Sequence, residues 1–378
     1  MLSGEKPDAD LAFVAHMLGR LTFLSGKPEA ARYVELALEI AEARGMPEVL
    51  SGALNTKGLL LLEKGRNVEG LALIRQALEV ALENDLSGSV LRAHMNMAHV
   101  TQLADRYDVA LGHYSDGLAL ARTLGDREQE WSFLLGPGFV HFVNGAWDEA
   151  LAVLAELPSY EDLGNFALGE LAFLAVIVLN RGDNETARQM LSASARLELS
   201  GDLQDRATHE LVRGLIAVAE GRHDEALEIN RVALRSGQNI GIENELTKAC
   251  FAQAGESALV LGDREALEEL VAVADTDTRV MPPFLMAQAA RFRARLAAMD
   301  LDDAAAEASF WWAAARFRDI GAHFYVAVTL LEHGEWLLER GRKRDADDLI
   351  KQARATFEEL RARPWLERID SSVEAVGA

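Results

Sequence analysis

Few residues in this chain have types and spacings that could do chemistry, and they are scattered. The sequence contains no phosphate loop of the form GxxxxGK[ST], no HExxH and no GxSxG. His94 and His99 stand five apart, which places them on different faces of a helix and makes them a poor metal pair. The single cysteine, Cys250, sits in the apolar run Ala249-Cys250-Phe251 and reads as a core thiol with no partner for a disulfide. Asp and Glu pairs are plentiful but fall in polar stretches, and paired carboxylates do acid–base work only when enclosed and perturbed. These absences predict a chain that is not an enzyme and holds no cofactor or metal. Two odd stretches remain. Gly136-Pro137-Gly138 predicts a break near Leu135, because proline lacks the amide a helix needs; the break either opens a pocket beside Phe139, His141 and Phe142 or marks a late helix start. Phe310-Trp311-Trp312 cannot point into one core from a helix, so one tryptophan is either exposed for a partner or packed near Trp336.

The elements that would position such residues are set by a repeat. Ala30, Gly70, Ala110, Ala150, Ala187, Ala226, Ala266, Ala306 and Ala346 follow one another, by subtraction, at intervals of 40, 40, 40, 37, 39, 40, 40 and 40 residues. Twelve residues before each mark stand Gly58, Ala98, Gly138, Ala175, Gly214, Ala254, Ala294 and Gly334, with Leu18 the exception in the first repeat. Seven after it stand Ala37, Ala77, Gly117, Leu157, Ser194, Ala233, Val273, Ala313 and Ala353. Small residues in this register let two antiparallel helices approach closely, and seven residues is two helical turns on one face. Gly26, Gly65, Gly145, Gly182, Gly221, Gly262 and Gly341 lie four or five residues before their marks, where a left-handed residue ends the first helix of each pair.

This grammar resembles the tetratricopeptide repeat (TPR), whose consensus has one small position in its first helix and two in its second. Gly58, Gly70 and Ala77 would fill them in repeat two, and Ala294, Ala306 and Ala313 in repeat eight. The resemblance covers nearly the whole chain, with repeats longer than the usual length of about 34 residues. Ser51-Gly52-Ala53-Leu54-Asn55-Thr56-Lys57-Gly58 and Phe357-Glu358-Glu359-Leu360-Arg361-Ala362-Arg363-Pro364-Trp365-Leu366-Glu367-Arg368 look like the C-terminal repeat region of bacterial ATP-binding regulators of the LuxR or nucleotide-cyclase-linked type; Arg361 departs from the glycine common there. The resemblance implies an all-α, right-handed superhelical solenoid of about nine hairpins with a period near 40 residues, spanning 1–378 as one domain. Bends are expected near 157–164 and 275–284, and a terminal cap over about 363–378.

In this family the first helices line a concave groove. Projecting the family's groove positions selects Asn55; Arg92, Met95, His99 and Gln102; Leu135, Phe139 and Phe142; Asn180; Leu211 and Leu215; Lys248 and Phe251; and Arg291 and Arg295. The middle is apolar and aromatic, with basic groups to either side. Such a groove suits an amphipathic helix or an extended peptide bearing acids, with aromatic anchors and arginines that grip carboxylates. The alternatives are that the aromatics only fill a tight interior and the arginines pair internally. If they contact a partner, removing Arg291 or Arg295 weakens binding by about 1–3 kcal/mol each and leaves the fold intact.

The formal net charge is −22, from 60 acidic and 38 basic residues. Solvated outer helix faces explain it, and such a field repels phosphate backbones and anionic lipid. Neither nucleic acid nor membrane is therefore expected as a partner. Met1 to Asp10 is polar, unlike a signal peptide, and no apolar run approaches the roughly 18 residues of a membrane span. The reading is a cytoplasmic, non-catalytic scaffold or sensor module of a bacterial regulatory system that binds a protein or peptide, as monomer or homodimer. The alternatives are a small-molecule sensor with its pocket at Pro137, or an accessory protein of a biosynthetic enzyme.

Overall fold

A computed structural model describes residues 9–157, 159–200, 203–237, 241–275 and 281–377. Pro158 and residues 276–280, at the two expected bends, lie outside the described residues, as do residues 1–8 of the N-terminal stretch and residue 378 of the expected cap. Among the described residues the regular structure is helix, with no strand. The fold is an all-α array of TPR-type hairpins. Ala9–Leu24 pairs with Ala30–Arg44 and Pro47–Leu62 with Asn67–Glu83, and Ser87–Leu103 packs on Tyr107–Leu124 through Leu91, Ala98, Ala110 and Tyr114. Further along, Asn165–Asn180 pairs with Asn184–Ser192, Leu203–Ala219 with His223–Gly237, and Glu245–Leu261 with Arg264–Asp275. Pro283–Met299 then pairs with Asp303–Asp319 and His323–Glu339 with Lys343–Leu360, before a last helix, Arg363–Gly377. No helix among the described residues is long and apolar enough to cross a membrane.

The repeat marks are the seams of these pairs, and all nine are buried. Repeat two shows why they are small. A Cβ on Gly58 would stand 2.8 Å from the Gly70 carbonyl oxygen, and one on Gly70 would stand 2.7 Å from that of Gly58. The side chains of Ile74 and Leu62 come closer still, at 2.6 Å each, and could shift, but the two backbone carbonyls could not. Gly58→Ala is therefore expected to cost about 1–3 kcal/mol, the range for overpacking, read as a lower denaturation midpoint at unchanged helicity. The seven glycines expected to end first helices all have positive φ, between 62° and 88°. Asp105 (φ 57°) and Leu301 (φ 60°) stand in the corresponding turns of repeats three and eight, and Arg361 (φ 55°) ends Lys343–Leu360 where the resemblance would place glycine.

At Gly136-Pro137-Gly138 the helix Arg127–Leu135 ends and Gly138–Asn144 begins, with Pro137 at φ −77° and ψ 8° as its cap. The second helix of this repeat is short, Trp147–Ala152 followed by a 3-10 turn, Val153–Ala155.

Contacts divide the chain into two compact units, Met1–Thr101 with Asp108–Phe133, and Gln102–Tyr107 with Leu134–Ala378. The first unit holds the opening hairpins, with Leu91, Ala98, Ala110, Tyr114, Ala121 and Phe133 as one of its cores. The second closes on itself. Phe142 lies 5.0 Å from Phe324 and 5.9 Å from Tyr325, ring centre to ring centre, and Phe139 lies 5.7 Å from Phe284. Around this contact Arg181 donates to the Leu360 carbonyl at 3.1 Å and to Asp148 at 2.6 Å, while Arg361 reaches the same aspartate at 2.8 Å. The last helix does more than cover repeat nine. Trp365 stacks on Phe357, and its indole N–H donates to Asn180 Oδ1 at 2.8 Å.

Candidate functional site

In the second unit the expected groove residues have turned into core. Leu135, Phe139, Phe142 and Phe251 are buried, as are Leu211 and Leu215. Phe139 packs edge-on against Phe173 and Phe284, and Phe251 lies 5.7 Å from Phe292. The side chains that would line a pocket at the Pro137 break are therefore filled in by aromatics from repeats five, eight and nine. His141, half-buried there, has its pKa lowered by burial, against the charge of Glu149.

The basic groups in this unit are mostly committed to the chain's own acids. Lys248 is wholly buried and donates to Asp105 Oδ1 at 2.5 Å and to the Leu103 carbonyl at 2.9 Å; the Gln102 carbonyl, on another expected groove residue, lies at 3.4 Å. Arg291 is also wholly buried. It bonds Glu332 through Nε at 2.7 Å and Nη2 at 3.0 Å, Gln288 through Nη1 at 3.0 Å, and Glu256 through Nη2. Asn180 spends its amide on the Val176 carbonyl and on Trp365. Arg295 differs: it is half-buried, and its buried Nε has no hydrogen-bond partner among the described residues.

Sequence reasoning passed over a second buried acid in this unit. Glu170 has an oxygen without a hydrogen-bond partner, and so does Glu245. Burial, and then the charge of Glu245, push the Glu170 carboxyl well above the usual carboxylate range. A raised carboxyl favours the fold at low pH. That contribution is lost as pH climbs from the ordinary glutamate value through the raised one. Glu170→Gln, which keeps the shape and drops the ionisation, is expected to stabilise the protein at neutral pH by about 1 kcal/mol, one hydrogen bond's worth. The gain should vanish near pH 4, as measured by thermal melts at both pH values.

In the first unit, polar groups of the first helices form one connected face. Three first helices contribute to it: Ala9–Leu24, Pro47–Leu62 and Ser87–Leu103. Arg92 is largely enclosed and donates to the Gly52 carbonyl at 2.5 Å and to Thr56 Oγ1 at 3.3 Å. No carboxylate pairs with it among the described residues. Burial, and then the positive charge of Arg20, lower its pKa to about 10. His16 and Arg20 lie one turn apart on the first helix. The His16 ring occupies the space a Cβ on Gly52 would take, 2.4 Å away at its closest atom. Burial, with Arg92 and Arg20 nearby, drops His16 to about 4. Arg20 is exposed and has no ion pair among the described residues. Beyond Arg92, Asn96 donates to Asn55 Oδ1 at 2.6 Å, and His99 is half-buried two turns along the same helix. The face thus joins a cationic end to an amide-rich end. His16 and Arg20 were invisible to sequence reasoning, because repeat one departs from the small-residue register at Leu18.

Trp311 and Trp312 remain 47% and 38% exposed, while Phe310 beside them is fully buried. Trp312 lies under the Arg316 guanidinium and lines an open cavity of about 370 Å³ with Met286, Ala290 and Arg293.

No protein-family model matches the chain, and no curated protein matches it. Among solved structures it is similar to the apo form of the quorum sensor NprR from B. thuringiensis, at 12% identity over 92% of this chain and 87% of that one, with a TM-score of 0.43. It is also similar to a Rap protein complexed with competence and sporulation factor, at 11% identity over 94% and 89%, TM-score 0.44. A third is the TPR domain of P58(IPK), at 15% identity over 97% and 99%, TM-score 0.24. Likenesses this loose carry no inference for this chain. Its own buried marks and left-handed turns define it as an array of antiparallel helical hairpins.

Proposed function

We propose that the chain is a non-catalytic binding module, and that the inner face of the first unit takes a protein or peptide partner through an acidic group. The observation that carries this reading is Arg92. A guanidinium held away from water without a carboxylate is costly, and a charge in that position is ordinarily paired. Its two partners here, a carbonyl and a hydroxyl, are neutral, and the charge that acts on it is that of Arg20, another cation. In a chain of net charge −22, an unbalanced cationic cluster on an inner face favours an anion supplied from outside. A carboxylate set between Arg92 and Arg20 would balance both, and the spare hydrogen-bonding capacity of the half-buried Asn96 and His99 would hold peptide backbone. Of the groove residues expected from the sequence, Arg92 and His99 would serve this surface, while Asn55, 1% exposed, would brace Asn96 from beneath. The buried aromatics of the second unit offer a partner no area.

The test is fluorescence anisotropy with a library of acidic peptides and with glutamine-substituted controls. Arg92→Ala is expected to weaken the selected acidic peptide by about 1.5–3 kcal/mol, the value of a charge-assisted hydrogen bond. Arg20→Ala, at an exposed position, should cost less and only at low salt. Equal binding of the neutral controls would refute an anion-directed site. So would an Arg92→Ala variant that binds normally but melts early, which would make Arg92 a strut for Gly52.

A further inference from the structure

We propose that His94, His113 and Asp116 form a binding site for a divalent transition-metal ion of the zinc class, across one hairpin of the first unit. His94 comes from Ser87–Leu103, while His113 and Asp116 come from Tyr107–Leu124. Three residues apart, His113 and Asp116 share one face of their helix. One ligand atom from each of the three side chains lies within 4.8 Å of the other two. The two Nδ1 atoms approach to 3.1 Å, with the rings tilted by 56°. Two nitrogens on one tetrahedral zinc, at bond lengths of about 2.0–2.1 Å, stand roughly 3.3 Å apart. The imidazoles are thus set almost at ligand spacing.

The donor set fits the ion. Two imidazoles and a carboxylate suit zinc and its neighbours in the first transition row, and are too nitrogen-rich for calcium or magnesium. Three protein ligands leave a fourth position for water, and Asp116 is solvent-exposed, which gives the ion a way in. Next to His113, a Cβ on Gly112 would meet nothing within 4 Å, so the neighbouring backbone leaves open space. Burial lowers both imidazoles. The charge of one ring lowers the other further at His94, Arg75 adds to the lowering at His113, and Asp116 opposes it at both.

The proton balance is simple. Without metal, a 3.1 Å contact between two Nδ1 atoms requires one N–H donor and one lone pair. With metal, both lone pairs face the ion, so the donor ring moves its proton from Nδ1 to Nε2 and none is released.

The experiment is calorimetric titration of the tag-free full chain with Zn2+, paired with Co2+ titration followed by visible absorption. One ion per chain with tetrahedral Co2+ bands is expected. His94→Gln and His113→Gln should each abolish the bands and weaken zinc by more than the roughly 10–100-fold that loss of an outer-sphere partner costs. His323→Gln, an exposed histidine outside the cluster, should change neither. Circular dichroism checks that each variant is folded. If a variant unfolds, Asp116→Asn, at an exposed position, supplies the same comparison. Absence of Co2+ bands in the parent chain would overturn the proposal, as would zinc affinity unchanged in folded His94→Gln. The pair would then be a hydrogen bond within the hairpin and nothing more.

Discussion

Arg291→Ala is expected to destabilise the protein by about 3–5 kcal/mol, the cost of stripping one partner from a buried ion pair. The reason lies in what stays behind. Glu332 is 1% exposed and takes two hydrogen bonds from the guanidinium, at 2.7 Å and 3.0 Å. Burial by itself would raise its pKa; the charge and hydrogen bonds of Arg291, with Arg295 and Arg368 behind it, hold it below the usual carboxylate range instead. A lowered carboxyl adds stability above the ordinary glutamate value, and that stability is lost as pH falls through the lowered one. Without Arg291 the sign reverses: burial dominates, and stability falls as pH rises above the ordinary value. Denaturant titrations at pH 7 and pH 5 should therefore show no loss from Glu332 in the parent, whose lowered carboxyl stays ionised at both, and a gain on acidification in the variant. Arg291→Met with Glu332→Leu, which removes both charges, should recover most of the loss. A variant as stable as the parent at pH 7 would refute the account, and would return Arg291 to the anion-gripping role its position suggests in an open groove.

Lys248→Met should be comparably damaging, at about 3–5 kcal/mol, for the same class of reason. Asp105 would lose its cation while remaining buried, held among the described residues by the Tyr107 hydroxyl at 2.9 Å and the Phe284 amide at 2.7 Å. The Leu103 carbonyl, at a negative helix end, would lose this donor as well, while the Gln102 carbonyl keeps the Asp105 amide at 3.0 Å. Asp105 also holds a left-handed backbone, which costs a non-glycine residue roughly 1–2 kcal/mol. Asp105→Gly would relieve that cost and remove the carboxylate. A cycle of Lys248→Met, Asp105→Gly and the double variant separates the terms. The double variant is expected to be more stable than Lys248→Met alone. Additivity within about 0.5 kcal/mol, the behaviour of independent sites, would show that the pair does not act as a unit.

The hairpins were legible in the sequence because helix–helix approach depends on local bulk. Gly58 and Gly70 can be identified from spacing alone, and so can Gly65, whose left-handed φ of 72° no neighbour has to explain. Pro137 announced the break after Leu135 by the same local logic. The fate of the inward faces was not legible. A register tells which residues point inward, but whether those faces stay apart or meet depends on curvature accumulated over several repeats. Phe142 therefore read as a groove wall and proved to be packed against Phe324. Asp105 and Lys248, 143 residues apart, gave no signal at all. Arg291 did give one. Its carboxylates, Glu256 and Glu332, lie 35 before and 41 after it, close to one repeat each way. Asn96 and Asn55 are likewise 41 apart, and Arg92 and Gly52 are 40 apart. Complementary polar groups one period apart on first helices are neighbours, and that rule would have found these pairs.

The closure of the second unit changes how it should come apart. A stack in which each repeat touches only its neighbours frays from its ends and tolerates trimming one repeat at a time. Here Arg361 reaches across 213 residues to Asp148, and Trp365 across 185 to Asn180. Such contacts form late, because the whole intervening chain must be ordered before they can, and they slow folding accordingly. Once made, they abolish one free end. Shortening the chain by its last helix would not remove a terminal tile; it would reopen the ring and expose Phe324 and Phe142 at the break. The unit is then all-or-none where an open array of the same hairpins would be graded.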